Sequence, residues 1–230
     1  MTARRDEWAD DIAACWRCPR LNLPGITGSA PGDGDERSLV MVVGQSVCGP
    51  CMATGIPFTG GSGRFIDTAL DRAGRRRAGL FVTNVVHCHP PNNRASKDYE
   101  KANCAWFLRR ELALVQPLLM VGVGDDTHDS LRKECRRALI IGWRRFATLP
   151  ALPVAGPLVL CLPHPSHVKF WPKDEQEEWI DALAARHPMG IRGPQLRTDD
   201  DGRAIGRVTG AHARHVTGAS AAMADIGNLA

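Results

Sequence analysis

Four short apolar runs punctuate the chain: Leu39 to Val43, Leu80 to Val86, Leu118 to Val123 and Leu158 to Leu162. Each has the length of a strand and is apolar at successive rather than alternate positions, which predicts strands buried on both faces. Between them the period changes. Residues 7–18 predict a short helix, and GGSGRFIDTALDRAG follows a Gly-rich turn with Phe65, Ile66, Ala69 and Leu70 on one helical face. Residues 98–115 predict an amphipathic helix, and 125–141 are read as helical in part. A last helix is expected from about Pro172 to Ala185, with proline in its first turn and acidic residues near its start. Strands alternating with helices predict an α/β fold of three layers, α/β/α, around a central four-stranded and mostly parallel sheet. From His187 onward the pattern fails, with many glycines, the run Asp199, Asp200, Asp201 and few apolar anchors. The expected organisation is one domain over 1–186 and a flexible or loosely docked tail over 187–230.

A sheet of this kind places its chemistry at the carboxyl ends of its strands. The polar segments found there are GQSVCGPC, NVVHCHPPNN and PHPSH, so residues far apart in sequence are expected to converge. Composition adds little to that picture. The chain is 43% hydrophobic and 23% charged, enough for a core without help from disulfides. Its formal charge of +4 permits nucleic-acid binding without demanding it. Arg72, Arg75, Arg76 and Arg77 fall together, as do Arg132, Lys133, Arg136 and Arg137, and each cluster taken alone reads as a solvated basic face. No apolar run approaches the roughly 20 residues of a membrane span. The first residues carry no apolar segment after their basic pair, so no secretion signal is expected. The expected protein is a cytoplasmic monomer with no membrane partner.

Eight cysteines carry more information. Structural disulfides are rare in the cytosol, so closely spaced cysteines there lean towards metal or redox chemistry. Cys15 and Cys18 form a pair that needs partners. Cys48 and Cys51 would complete a zinc site; Cys88 and Cys104 would equally complete a four-thiolate site, for zinc or an iron–sulfur cluster. Cys48-Gly49-Pro50-Cys51 also invites a dithiol redox reading, but Gly55 and Pro57 interrupt the long helix which that chemistry uses. Cys135 and Cys161 read as small buried hydrophobes.

Taken together, the motifs resemble the iron–sulfur, or family 4, uracil-DNA glycosylases of bacteria and archaea, over roughly residues 12–185. Gly44 through Phe58 corresponds in length to that family's first motif, Gly-Glu-Ala-Pro-Gly, seven residues, then Gly-x-Pro-Phe. PFTGGSG follows as the family's glycine turn opening a helix. TNVVHCHPPNNR is similar to the family's TNVVKCRPPxNR, and LPHPSH to its histidine-proline-serine motif. The resemblance implies a 4Fe-4S cluster on Cys15, Cys18, Cys88 and Cys104, because the stretch between the last two has the family's length. It implies action on DNA, single- or double-stranded, containing uracil or a related modified base that is flipped into a pocket. Phe58 would stack on the base, Asn84 would read its O4/N3 edge, and His164 would donate to O2 as charge develops there. Gly44 and Gln45 would complete the pocket. Ser166, with the amides near Gly61 to Gly63, would contact phosphate, assisted by Lys169.

One departure bears on the chemistry. Gln45 stands where the family has glutamate, and Cys51 and Met52 stand where it has an acidic pair. A neutral amide holds a water but takes no proton from it. Hydrolysis of the N-glycosidic bond is therefore expected with Asn84, His164 and Gln45 as its catalytic set. The alternatives are a catalytically weakened or inactive binder of modified DNA, and a redox protein built on Cys48 and Cys51. The Arg-rich insertion of the glycosylases that trap DNA covalently is absent.

Overall fold

The computed structural model describes residues 3–148 and 157–184. The expected tail from 187 lies outside the described residues. Helices α1 (Ala3–Ala13), α2 (Gly49–Thr54), α3 (Gly63–Arg72), α4 (Asp98–Val115), α5 (Asp125–Glu134), α6 (Trp143–Thr148), α7 (Pro165–Val168) and α8 (Lys173–Ala184) are interleaved with strands. The strands are β1 (Asp33–Gly34), β2 (Val40–Ser46), β3 (Phe81–Val86), β4 (Leu119–Val123), β5 (Leu139–Gly142) and β6 (Leu158–Leu162).

The sheet has six strands in the order β1-β3-β2-β4-β6-β5, not the four expected. The four anticipated strands form its interior and pair in parallel. The two additions are its edges: β5, parallel to β6, and β1, antiparallel to β3. The segment read as partly helical up to 141 therefore ends its helix at Glu134 and turns into an edge strand. The first helix likewise stops at Ala13 rather than continuing to residue 18. The Asn22 amide donates to the carbonyls of Ile12, Ala13 and Cys15 at 3.2, 2.7 and 3.0 Å, satisfying acceptors that a finished helix leaves open.

Side chains alternate across the sheet, and each face carries its own core. Val40, Val42, Val82, Val121, Leu158 and Leu160 meet Phe65, Ile66 and Leu70 of α3 and Trp179, Ile180 and Leu183 of α8. On the other face, Met41, Val43, Phe81, Met120 and Val159 meet Ile12 of α1, Phe107 and Leu108 of α4 and Leu131 of α5. This gives the three expected layers. Trp179 is fully buried yet satisfied, its indole N–H donating to the Pro163 carbonyl at 3.0 Å. That bond ties α8 to the loop carrying the histidine-proline-serine segment. No described helix is long and apolar enough to cross a membrane.

Candidate active site

Strand β2 runs to Ser46, so Gly44 and Gln45 lie within it rather than after it. Gly44 pairs with Asn84 of β3. A Cβ on Gly44 would lie 2.6 Å from both Asn84 Oδ1 and Phe58 Cζ, so only glycine lets the amide and the ring close over the strand. These residues, with Gln45, Gly61, Ser62 and His164, line a cavity of about 110 Å³. Asn84 is buried and Gln45 half-buried, and neither side-chain amide has a protein hydrogen-bond partner among the described residues. Buried amides are ordinarily paired, so two open ones facing a cavity mark a site for a ligand.

Phe58 holds a left-handed backbone, φ 62°. For a bulky residue that conformation costs about 1–2 kcal/mol, and the surroundings have to enforce it. Its carbonyl lies 1.7 Å from where a Cβ on Gly63 would be, so the first turn of α3 is folded directly against it. The opposite wall comes from α2, a helix of six residues ended by Gly55 at φ 66°. Cys48 and Cys51 at its start are joined by a disulfide, and both line the cavity.

His164 precedes α7 as its N-cap. Its Nδ1 accepts the backbone N–H of Ser166 at 3.1 Å and lies 2.7 Å from the Ser166 hydroxyl. With Nδ1 an acceptor, the neutral ring carries its proton on Nε2. Burial pushes the imidazole below its ordinary pKa, and the nearby His167 adds to the effect, so the neutral form persists into mild acid. Gly124 shapes the other side of the ring: at φ 95° it donates to the Leu162 carbonyl at 2.8 Å, and a Cβ there would press on His164 Cβ at 3.3 Å.

The expected site residues thus fall into two groups. Gly44, Gln45, Phe58, Asn84 and His164 come together in the cavity. Ser166 does not line it; it lies in a groove of about 970 Å³ alongside, with Ser62, His167 and Lys169, and its hydroxyl is engaged by His164. Sequence reasoning missed Gly124, visible beforehand only as a glycine after a strand, and its reading of the first basic cluster as a solvated face fails at Arg77, while Arg72 stays exposed. Arg72 pairs with Glu177 and Asp181 of α8, both at 2.6 Å. Arg77 is half-buried and turned onto backbone carbonyls.

Cys15, Cys18, Cys88 and Cys104 line one further cavity with Leu21 and Val86, well apart in sequence and apart from Cys48 and Cys51. Among the described residues no group of three or more His, Cys, Asp or Glu side chains is spaced to hold a metal ion. The donor chemistry nonetheless suits a cluster. Burial raises the Cys88 thiol pKa, and Cys104, Cys15 and Cys18 raise it further. Four thiols that oppose one another's ionisation among apolar walls form a set that a cationic cluster would relieve. Behind them, His87 lies with Nδ1 3.5 Å from Cys104 Sγ and Nε2 3.1 Å from Glu111.

The sequence profile of the Uracil DNA glycosylase superfamily matches residues 31–185. The type-4 uracil-DNA glycosylase of Pyrobaculum aerophilum is 34% identical over 113 residues, covering 49% of this chain and 57% of that protein. That of Archaeoglobus fulgidus is 31% identical over 119 residues, 52% and 59% of the two chains. That of Thermotoga maritima is 32% identical over 116 residues, 50% and 59%. The chain spans less than two thirds of the length of these curated relatives.

Proposed function

The chain belongs to the uracil DNA glycosylase superfamily, and from that premise we propose that it hydrolyses the N-glycosidic bond of uracil, or a related modified pyrimidine, in DNA. The observation that carries the reading is the cavity of about 110 Å³ whose buried Asn84 and half-buried Gln45 amides have no protein partner among the described residues. A flipped base stacks on Phe58 and offers N3–H and O4 to the Asn84 amide, which supplies the matching acceptor and donor. The opposite edge brings O2 to His164. Because Ser166 occupies Nδ1, the Nε2–H donates, and a neutral donor loses no proton in stabilising the anion that forms as the bond breaks. Gln45 holds the water that adds to the anomeric carbon; the departing base takes a proton afterwards. Without a carboxylate to support that water, turnover is about 10²–10⁴-fold below that of an enzyme with an acid there.

Cys15, Cys18, Cys88 and Cys104 would hold an iron–sulfur cluster whose contribution is to tie the segment after α1 to the start of α4. Four thiolates leave no open coordination position for chemistry. The groove with Ser62, Ser166 and Lys169 takes the DNA strand on either side of the flipped nucleotide.

The test is a time course of base release by iron-quantified protein on oligonucleotides containing uracil, hypoxanthine or hydroxymethyluracil. His164→Ala is expected to lower release about 10²–10³-fold, in the range of a lost oxyanion donor. Release unchanged by that substitution would remove His164 from the mechanism. Tight binding of uracil DNA by the parent chain with no release would replace the glycosylase reading with that of a binder.

A further inference from the structure

Three backbone carbonyls around the stacking residue point at one spot. Pro57 and Phe58 lie where the chain reverses between the α2 wall and α3, left-handed at Phe58, so their oxygens fall outside helix and strand, and Gly63 opens α3. Arg77, the residue that opens the short turn before β3, fills that spot. Its Nη1 donates to Pro57 O and Phe58 O at 3.3 and 3.2 Å, and its Nη2 to Gly63 O at 3.4 Å. Asp67 of α3 fixes the plane of the fork by accepting from Nε at 2.9 Å and from Nη2 at 2.7 Å.

We infer that Arg77 is a positioning residue for base stacking, holding Phe58 in its left-handed conformation with the ring face turned to the cavity. The inference rests on the reading that this cavity receives a flipped base. Only a planar, multiply donating cation meets three carbonyls and a carboxylate together; a lysine ammonium has three donors and no fixed plane. The same segment leads into β3, which carries Asn84 seven positions on, so the residue that stacks and the residue that reads the base share one support. A solvated arginine would have no such geometry. Here the guanidinium sits among backbone oxygens, and the side chain is only 25% exposed.

The test compares the parent chain with Arg77→Ala, Arg77→Lys, Phe58→Ala and the Arg77→Ala/Phe58→Ala double variant. Circular dichroism screens each for folding, and Arg77→Lys keeps the test open if the alanine variant unfolds. Two quantities are read: single-turnover base release from uracil DNA, and affinity for the same duplex carrying a tetrahydrofuran abasic site, which offers no base to stack. Arg77→Ala is expected to lower release about 10–100-fold while abasic affinity stays within about twofold, with Arg77→Lys in between. In the Phe58→Ala background the Arg77 effect is expected to shrink below about threefold, since coupled residues are not additive. Equal losses in both backgrounds, release within twofold of the parent, or a parallel fall in abasic affinity would each overturn the inference. A parent chain that releases no base would instead sink the glycosylase reading and this inference with it.

Discussion

At the cysteine end of the molecule the buried carboxylates have their oxygens engaged from within. Glu111 accepts the Gly32 amide at 2.7 Å and the Thr83 hydroxyl at 2.5 Å, and pairs with His87 at 3.1 Å. Glu100, wholly buried, takes a two-pronged ion pair from Arg94 at 2.6 and 2.9 Å and also accepts the Lys97 amide at 2.8 Å. At the cavity lined by β2, Phe58 and His164 the Asn84 and Gln45 amides have no protein partner among the described residues, and Phe58 bears a strained backbone. The Glu111 and Glu100 carboxylates are engaged from within, whereas the Asn84 and Gln45 amides face a void. A saturated network fixes structure; unpaired groups around a void fix a ligand, at some cost to stability while it is absent. The contrast separates scaffold from chemistry more sharply than residue type does, since histidine serves in both.

The largest test of that division falls on the cysteine end. Cys104→Ser is expected to abolish iron incorporation and soluble folded protein together, measured by iron content and yield. Full retention of both would remove Cys104 from the ligand set. Next comes Glu111→Ala, which removes the carboxylate that pairs with buried His87 and accepts the Thr83 hydroxyl. Burial alone would lower the His87 pKa, but Glu111 and Cys104 outweigh it and hold the ring near 10. Breaking such a buried pair costs about 3–5 kcal/mol, so a fall in Tm of about 10 °C or more is expected. Base release per folded molecule should stay unchanged; a matching loss of release would blur the division.

The smallest effect concerns pH. His164 has its pKa lowered by burial and by His167. Above the unfolded value of about 6.5 the ring is neutral in both states and contributes no pH-dependent stability. As pH falls through 6.5 towards the folded pKa, the unfolded chain binds the proton first and the folded state loses stability. Base release should therefore keep its plateau below pH 6.5 before declining. His167→Ala should move that acid limb slightly upward, because one opposing charge is gone. An unmoved limb would assign it to another group.

The interior strands were legible because burial on both faces writes an unbroken apolar run, as in Val40 to Val43 or Leu158 to Leu162. The edges were not. Leu139 to Gly142 has only four residues between Arg136, Arg137 and Arg144, with Leu139 half exposed, and Asp33–Gly34 is too short to show any period. In the cavity, the motif residues were legible as types in a pattern, and the fold brings Gly44, Gln45, Phe58, Asn84 and His164 together. Arg77 was not. A run of arginines gives no sign of which one faces three carbonyls, because that depends on a reversal at Phe58 which no propensity favours. The left-handed conformation itself was hidden for the same reason, since the residue is not glycine.

The short edges that escaped sequence reading also bear on how the molecule meets copies of itself. A parallel sheet invites a stray strand to add at its margin, and the invitation grows with the length of open ladder. Here one margin is a strand of two residues running antiparallel to its neighbour, and the other is a strand of four that passes at once into α6. The interior strands, with five to seven residues each, would be far better templates, and they are enclosed. By ending its sheet in fragments, the chain leaves little open ladder for a stray strand to join.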